Sequence, residues 1–200
     1  MKKNILGLFV AGAVLASCGG PSPAKDVEGA IKLKQDVNAT TEEYYNQKLE
    51  NQKELDELER EWNDVTKKEL LADYGGAEKG VQNLEDKVKK NDEKAIEDWI
   101  SYKVAKHEYM NSRKEVRKSL EGLEEKYSEQ NWAYSTSKRL LDLIHSDEKM
   151  KADKDKLDAD IKIEDDKMDE VKKKLQEAYK TWYDGEFKGK KEDFRDLDLN

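Results

Sequence analysis

Residues 154–182 read KDKLDADIKIEDDKMDEVKKKLQEAYKTW. Within them Lys154, Leu157, Ile161, Glu164, Met168, Val171, Leu175, Ala178 and Trp182 follow one another by alternating steps of three and four, and seven of these nine are apolar. That is a heptad stripe, which turns one narrow helical face toward a partner helix. Such a stripe cannot be buried by its own helix. The stretch therefore predicts an all-α protein of long antiparallel helices, either a coiled-coil hairpin or a slender helical bundle. The pattern places the helix start near Ser146-Asp147 and its end at Tyr183-Asp184-Gly185, with Gly185 as a left-handed cap.

The rest of the chain offers partners for this helix. Pro21 and Pro23 are the only prolines, so nothing of that kind interrupts helices after Ala24. Tyr44 or Tyr45, Leu49, Leu55, Leu58, Trp62, Val65 and Leu70-Leu71 form a second stripe. Thr40 and Glu43 have the spacing of a capping box at its start, and Tyr74-Gly75-Gly76 supplies a turn at its end. Residues 25–37 form a shorter helical piece that either continues into this helix or breaks near Asn38. The middle runs through Val81, Leu84, Val88, Ala95, Ile96, Trp99, Ile100, Tyr109 or Met110, Val116, Leu120, Leu123 and Tyr127 to Leu140, Leu141 and Ile144. Breaks are expected at Asn91-Asp92 and among the weak helix formers of 128–137. A tail from 186 to 200 carries Phe187, Phe194, Leu197 and Leu199 among charges, and either docks or stays loose.

Composition narrows the function classes. The 200 residues carry a formal net charge of −8, with 42% charged and 36% hydrophobic residues. One cysteine excludes an intrachain disulfide scaffold, and the acidic balance argues against nucleic acid as a partner. So polar a chain has disorder as its competing reading. Interleaved charges, nine tyrosines and four tryptophans favour helices around a narrow core.

The N-terminus points to an address. Lys2 and Lys3 precede an apolar run over 5–15, and Leu15-Ala16-Ser17-Cys18 follows. The run is too short for a permanent membrane span and has the flanks of an export signal. Leu15-Ala16-Ser17-Cys18 resembles the lipobox of bacterial lipoproteins. The resemblance covers about the first 18 residues. It implies cleavage before Cys18, lipidation of Cys18 and acylation of the new amino terminus, so that several acyl chains would hold the protein in a membrane of the cell envelope. Gly19, where an Asp would retain the protein elsewhere, resembles outer-membrane sorting. The expected organisation is a signal peptide at 1–17, a lipidated cysteine and flexible tether at 18–25, a helical domain at 26–185 and an acidic tail at 186–200.

Motifs for chemistry are weak. His107 and His145 stand far apart without the spacing of a zinc helix. Asp153, Asp155, Asp158, Asp160 and Glu164 loosely follow a calcium loop, but Leu157 occupies a ligand position and Asp158 the turn glycine. Residues 185–190 fall one short of a phosphate loop. No catalytic residue, metal or cofactor is expected. The aromatics are better leads. Tyr179, Trp182, Tyr183 and Phe187 cluster at one helix end, and Trp132 and Tyr134 form a second group; those facing outward would suit a protein or glycan partner. The expectation is a non-catalytic envelope lipoprotein whose helical body projects from the membrane and binds another macromolecule. The alternatives are a structural spacer or self-associating coil, which would be a homo-oligomer, and, behind both, a carboxylate-dependent hydrolase. Mass spectrometry of the native protein is expected to find a chain beginning at an acylated Cys18; an unmodified Cys18 would remove the anchor.

Overall fold

The computed structural model describes residues 20–144, 151–187 and 194–199. Among them the chain is helical without a strand. The helices are α1 (Val27–Arg60), α2 (Lys67–Leu70), α3 (Gly76–Val88), α4 (Glu93–Lys118), α5 (Glu121–Ile144) and α6 (Lys151–Glu186). A π-helical turn, Glu61–Thr66, joins α1 to α2, and a 3-10 turn, Ala72–Tyr74, follows. The expected signal peptide, Cys18 and the helix start at Ser146-Asp147 lie outside the described residues.

Helix α1 organises the bundle because it is buried on two sides. At 100° per residue, Asn38, Tyr45, Leu49 and Asp56 share one face, and Val37, Thr40, Tyr44 and Asn51 share another. The first face packs on α6, which runs parallel to α1. Lys34 pairs with Asp165 at 2.5 Å, Asn38 donates to the Glu164 carbonyl at 3.0 Å, and Tyr179 donates to Asp56 at 2.5 Å. The second face packs on α4 and α5, which run antiparallel to α1. Tyr44 meets Glu124 at 3.3 Å, and Asn51 donates to the Val116 carbonyl at 3.0 Å. Three apolar clusters lie along this axis. The first joins Ala30, Leu141, Leu157 and Ile161. The second joins Tyr45, Leu49, Tyr179 and Tyr183 with Leu197 and Leu199. The third joins Trp62, Leu71, Tyr74, Leu84, Ala95 and Tyr102. The architecture is thus a slender helical bundle, and the tail docks in its middle cluster.

Several local expectations change. The start of α1 is capped by Asp26, whose side chain accepts from Gly29 N at 2.7 Å. The Thr40–Glu43 box is not used: Thr40 is 2% exposed in mid-helix, and no break occurs at Asn38 because its amide is committed to α6. The turn at Gly75-Gly76 forms as expected, with φ of 96° and 78°. Asn91 takes φ 59° and Asp92 caps α4 by accepting from Ala95 N, so this break also forms. No break occurs over 128–137. The interruption falls instead at Ser119 and Leu120, where the Val116 carbonyl accepts from Asn51 and from the Ser119 hydroxyl. Gly185 is not a left-handed cap. It lies inside α6, and Phe187 N continues the helical bond to the Tyr183 carbonyl at 2.9 Å.

The stripe of α6 is also modified. Leu157, Ile161 and Glu164 are buried and Met168, Val171 and Leu175 half-buried, following the three–four alternation. Beyond Leu175 the buried positions are Tyr179 and Tyr183, while Ala178 is exposed. Three successive steps of four restore the drift of a straight helix, so the heptad supercoil does not persist to the end.

Replacing Asn51 with Ala removes two donated bonds and leaves the Ser119 hydroxyl without this partner. Each intramolecular hydrogen bond lost costs about 0.5–1.5 kcal/mol. Denaturant melts of Asn51→Ala are expected to show that loss, whereas the exposed Asn46→Ala should change stability by less than about 0.5 kcal/mol.

Candidate functional site

Helix α4 is apolar on two sides. Ala95, Trp99, Tyr102 and Tyr109 face the distal cluster. Ile96, Ile100, Val104 and Met110 fall within about 120° of arc on the other side. They are 37%, 57%, 51% and 54% exposed. Sequence spacing could not separate the two sets, and assigned Ile96 and Ile100 to the same core run as Trp99. Lys103 and His107 lie within the outer stripe. The Lys103 ammonium sits 4.2 Å from the Trp99 ring centre, and His107 Nε2 is 3.0 Å from the Asn111 amide. Ile96, Ile100 and Val104 thus form an apolar row, and Lys103 and His107 stand between it and Met110.

The inner side of α4 is rigidified by rings. Trp62 stacks on Tyr109 at 5.2 Å with 7° between planes, and contacts Tyr102 at 5.8 Å. Arg113 donates to the Tyr109 hydroxyl at 2.7 Å. The π-helical turn widens the chain at Trp62, with Lys67 N reaching five residues back to the Trp62 carbonyl. No residue type in 61–66 signals that turn.

The aromatics expected as partner contacts divide. Tyr179 and Tyr183 are 1% and 4% exposed, so both belong to the core and present no outer surface. Trp182 and Phe187 are half-buried beside them. Phe187 stacks on Tyr183 at 4.6 Å and lies 5.2 Å from the Arg60 guanidinium, while Trp182 meets Phe187 edge-on at 5.6 Å. Phe194 closes the group against Tyr179 and Tyr183. Tyr134 is half-buried on the first cluster beneath Lys34. Trp132 alone of the six is mainly exposed, at 60%.

Trp132 borders a groove of ≈ 540 Å³. Its other walls are Ser128 and Glu129 of α5 and the segment from Gly20 to Pro23. That segment, expected as part of a free tether, lies along α5. Ala24 N donates to the Ser137 hydroxyl at 2.7 Å, and Pro21, Pro23 and Ala24 are half-buried. Small residues make this approach possible: Ala133 and Ser137 are fully buried, and the Ser137 hydroxyl also donates to the Ala133 carbonyl. This is why the weak helix formers of 128–137 do not break α5.

The acidic positions of 153–164 lie on one continuous helix rather than a loop. Glu164 is engaged by Lys167 at 2.7 Å and by Asn38, and the Lys167 bond above all holds its carboxyl below the usual range. Among the described residues no group of three potential ligands gathers as a metal site, and no helix is long and apolar enough to cross a membrane. His145 lies outside the described residues.

Several phenols are held protonated. The Tyr74 hydroxyl donates to Asp98 at 2.6 Å, and this bond, with burial, pushes it up to about 12. Burial pushes Tyr134 up to about 12, and burial with the Asp56 bond raises Tyr179. Each folded value lies above the ordinary 10.0. Their stabilisation is full below pH 10 and falls as pH rises toward about 12. Circular dichroism and tyrosinate absorbance followed together should show helix loss and a late, cooperative ionisation across that window; independent ionisation of all tyrosines near 10 with the helices intact would contradict it.

No family model matches the sequence, and comparisons with curated proteins and with solved structures find no match.

Proposed function

We propose that the protein is a bacterial envelope lipoprotein, anchored through Cys18, whose helical body binds a protein partner without catalysing a reaction. The observation that carries the binding role is the outer stripe of α4, where Ile96, Ile100, Val104 and Met110 stand exposed on a helix already packed on its opposite side. A row of exposed apolar side chains flanked by charged and polar ones suits an interaction site. The aromatic packing of Trp62, Trp99, Tyr102 and Tyr109 holds that helix in a fixed orientation, which lowers the ordering cost of association. The lipobox-like residues support the anchor.

The same stripe also supports the spacer reading, in which the partner is a second copy of the chain. Placing two charges at the centre of an apolar interface removes its contacts and buries unpaired carboxylates. Ile100→Glu with Val104→Glu is therefore expected to weaken partner capture at least tenfold, about 1.4 kcal/mol. The fold should survive, since both positions are exposed. Crosslinking from position 100 in intact envelopes, with sedimentation of the purified chain, separates the two readings. A crosslink to another protein and a monomeric purified chain support the first; a crosslinked homodimer supports the second. Capture unaffected by the double substitution would overturn the role of this face.

A further inference from the structure

We propose that the flank of α5 bearing Trp132 rests against lipid headgroups, with the indole at headgroup level. This inference rests on the lipoprotein reading of Cys18. The segment leading from that residue is not a free leash where it is described. Ala24 is hydrogen-bonded to Ser137, and a side-chain carbon placed on Gly20 would lie 3.5 Å from a Glu129 carboxylate oxygen. Gly20 therefore sits on the side of α5, not at an end of the bundle.

Cys18 precedes Gly20 by two residues, so their Cα atoms can stand at most about 7 Å apart. The headgroup zone of one leaflet is itself only about 6 Å deep. An acylated Cys18 carries its chains into the hydrocarbon, and this short reach brings Gly20, and the groove it shares with Trp132, down to the headgroups.

The outer face of α5 suits that position. At 100° per residue Arg139 and Leu143 lie within about 20° of Trp132. Leu143 is 71% exposed and Arg139 is also exposed. Tryptophan favours the membrane–water boundary, and arginine can lay its stem on apolar surface while its head stays wet. Glu125 and Glu129, exposed on the same side, keep the contact shallow because their carboxylates require water. Contact at both Trp132 and Leu143, about 16 Å apart along the helix, lays this part of the bundle flank-on against the membrane instead of standing it on end.

The test uses the full, acylated protein reconstituted into phosphatidylethanolamine–phosphatidylglycerol vesicles carrying bromine near the headgroup. Flotation and mass spectrometry establish that it is anchored through Cys18. The proposal expects bromine to quench up to the share of one tryptophan in four, and expects that quenching to vanish in Trp132→Phe. Anchored protein whose quenching is absent, or is the same in Trp132→Phe, overturns the proposal and leaves the lipoprotein reading standing. Protein that does not float and carries an unmodified Cys18 overturns both.

Discussion

The whole structure depends on one helix having to satisfy neighbours on two sides. Helix α1 presents one face to α6 and another to the α4–α5 pair; two of the three apolar clusters are built on it, and the third gathers just beyond its end around Trp62. Most cross-helix polar bonds also run from it. Neither α5 nor α6 carries a second broad apolar face, so each relies on α1 for its burial. The result is a bundle that is long and thin, with side chains enough for a core one or two residues deep.

Polar groups in that core act as registration points. Asn38 ties α1 to the Glu164 backbone and Asn51 ties it to Val116 and Ser119. A sliding helix would leave these amides unpaired in a buried setting, which makes displaced registers costly. The same logic explains the break between α4 and α5. Val116 sits at a helix end, and Asn51 and Ser119 supply the donors its carbonyl uses. Large aromatic groups fill the places where the helices diverge: Trp62 with Tyr102 and Tyr109 at one end, and Tyr179, Tyr183, Phe187 and Phe194 near the middle. The docked tail completes that middle group with Leu197 and Leu199.

Features fixed by local chemistry were legible in the sequence. The glycine pair at 75–76 and the Asn91-Asp92 junction both formed where left-handed backbone and a capping carboxylate were available. The stripe of α6 identified an all-α bundle because its period is repeated over many turns. Features that depend on which helix meets which were not legible. Thr40 read as a helix start, whereas the helix begins at Asp26 and runs on through Thr40, where α6 engages Asn38. On α4 two apolar sets interleave, and only the distal cluster separates Trp99 from Ile100. Trp182 and Tyr183 are adjacent, yet the drift of the stripe buries Tyr183 more deeply than Trp182. Of the candidate contact aromatics, Trp132 is the one left mainly facing outward, beside a segment whose docking on α5 has no sequence signature.

The central claim is a thin rod built on α1, and its dimensions can be measured directly. Helix α1 with the turns that continue it to Tyr74 is about 70 Å long. Small-angle X-ray scattering from the chain beginning at Gly20 should give a radius of gyration of about 21 Å, the value for a rod of that length and about 20 Å width. A radius of about 16 Å, that of a compact globule of the same chain length, would contradict the account.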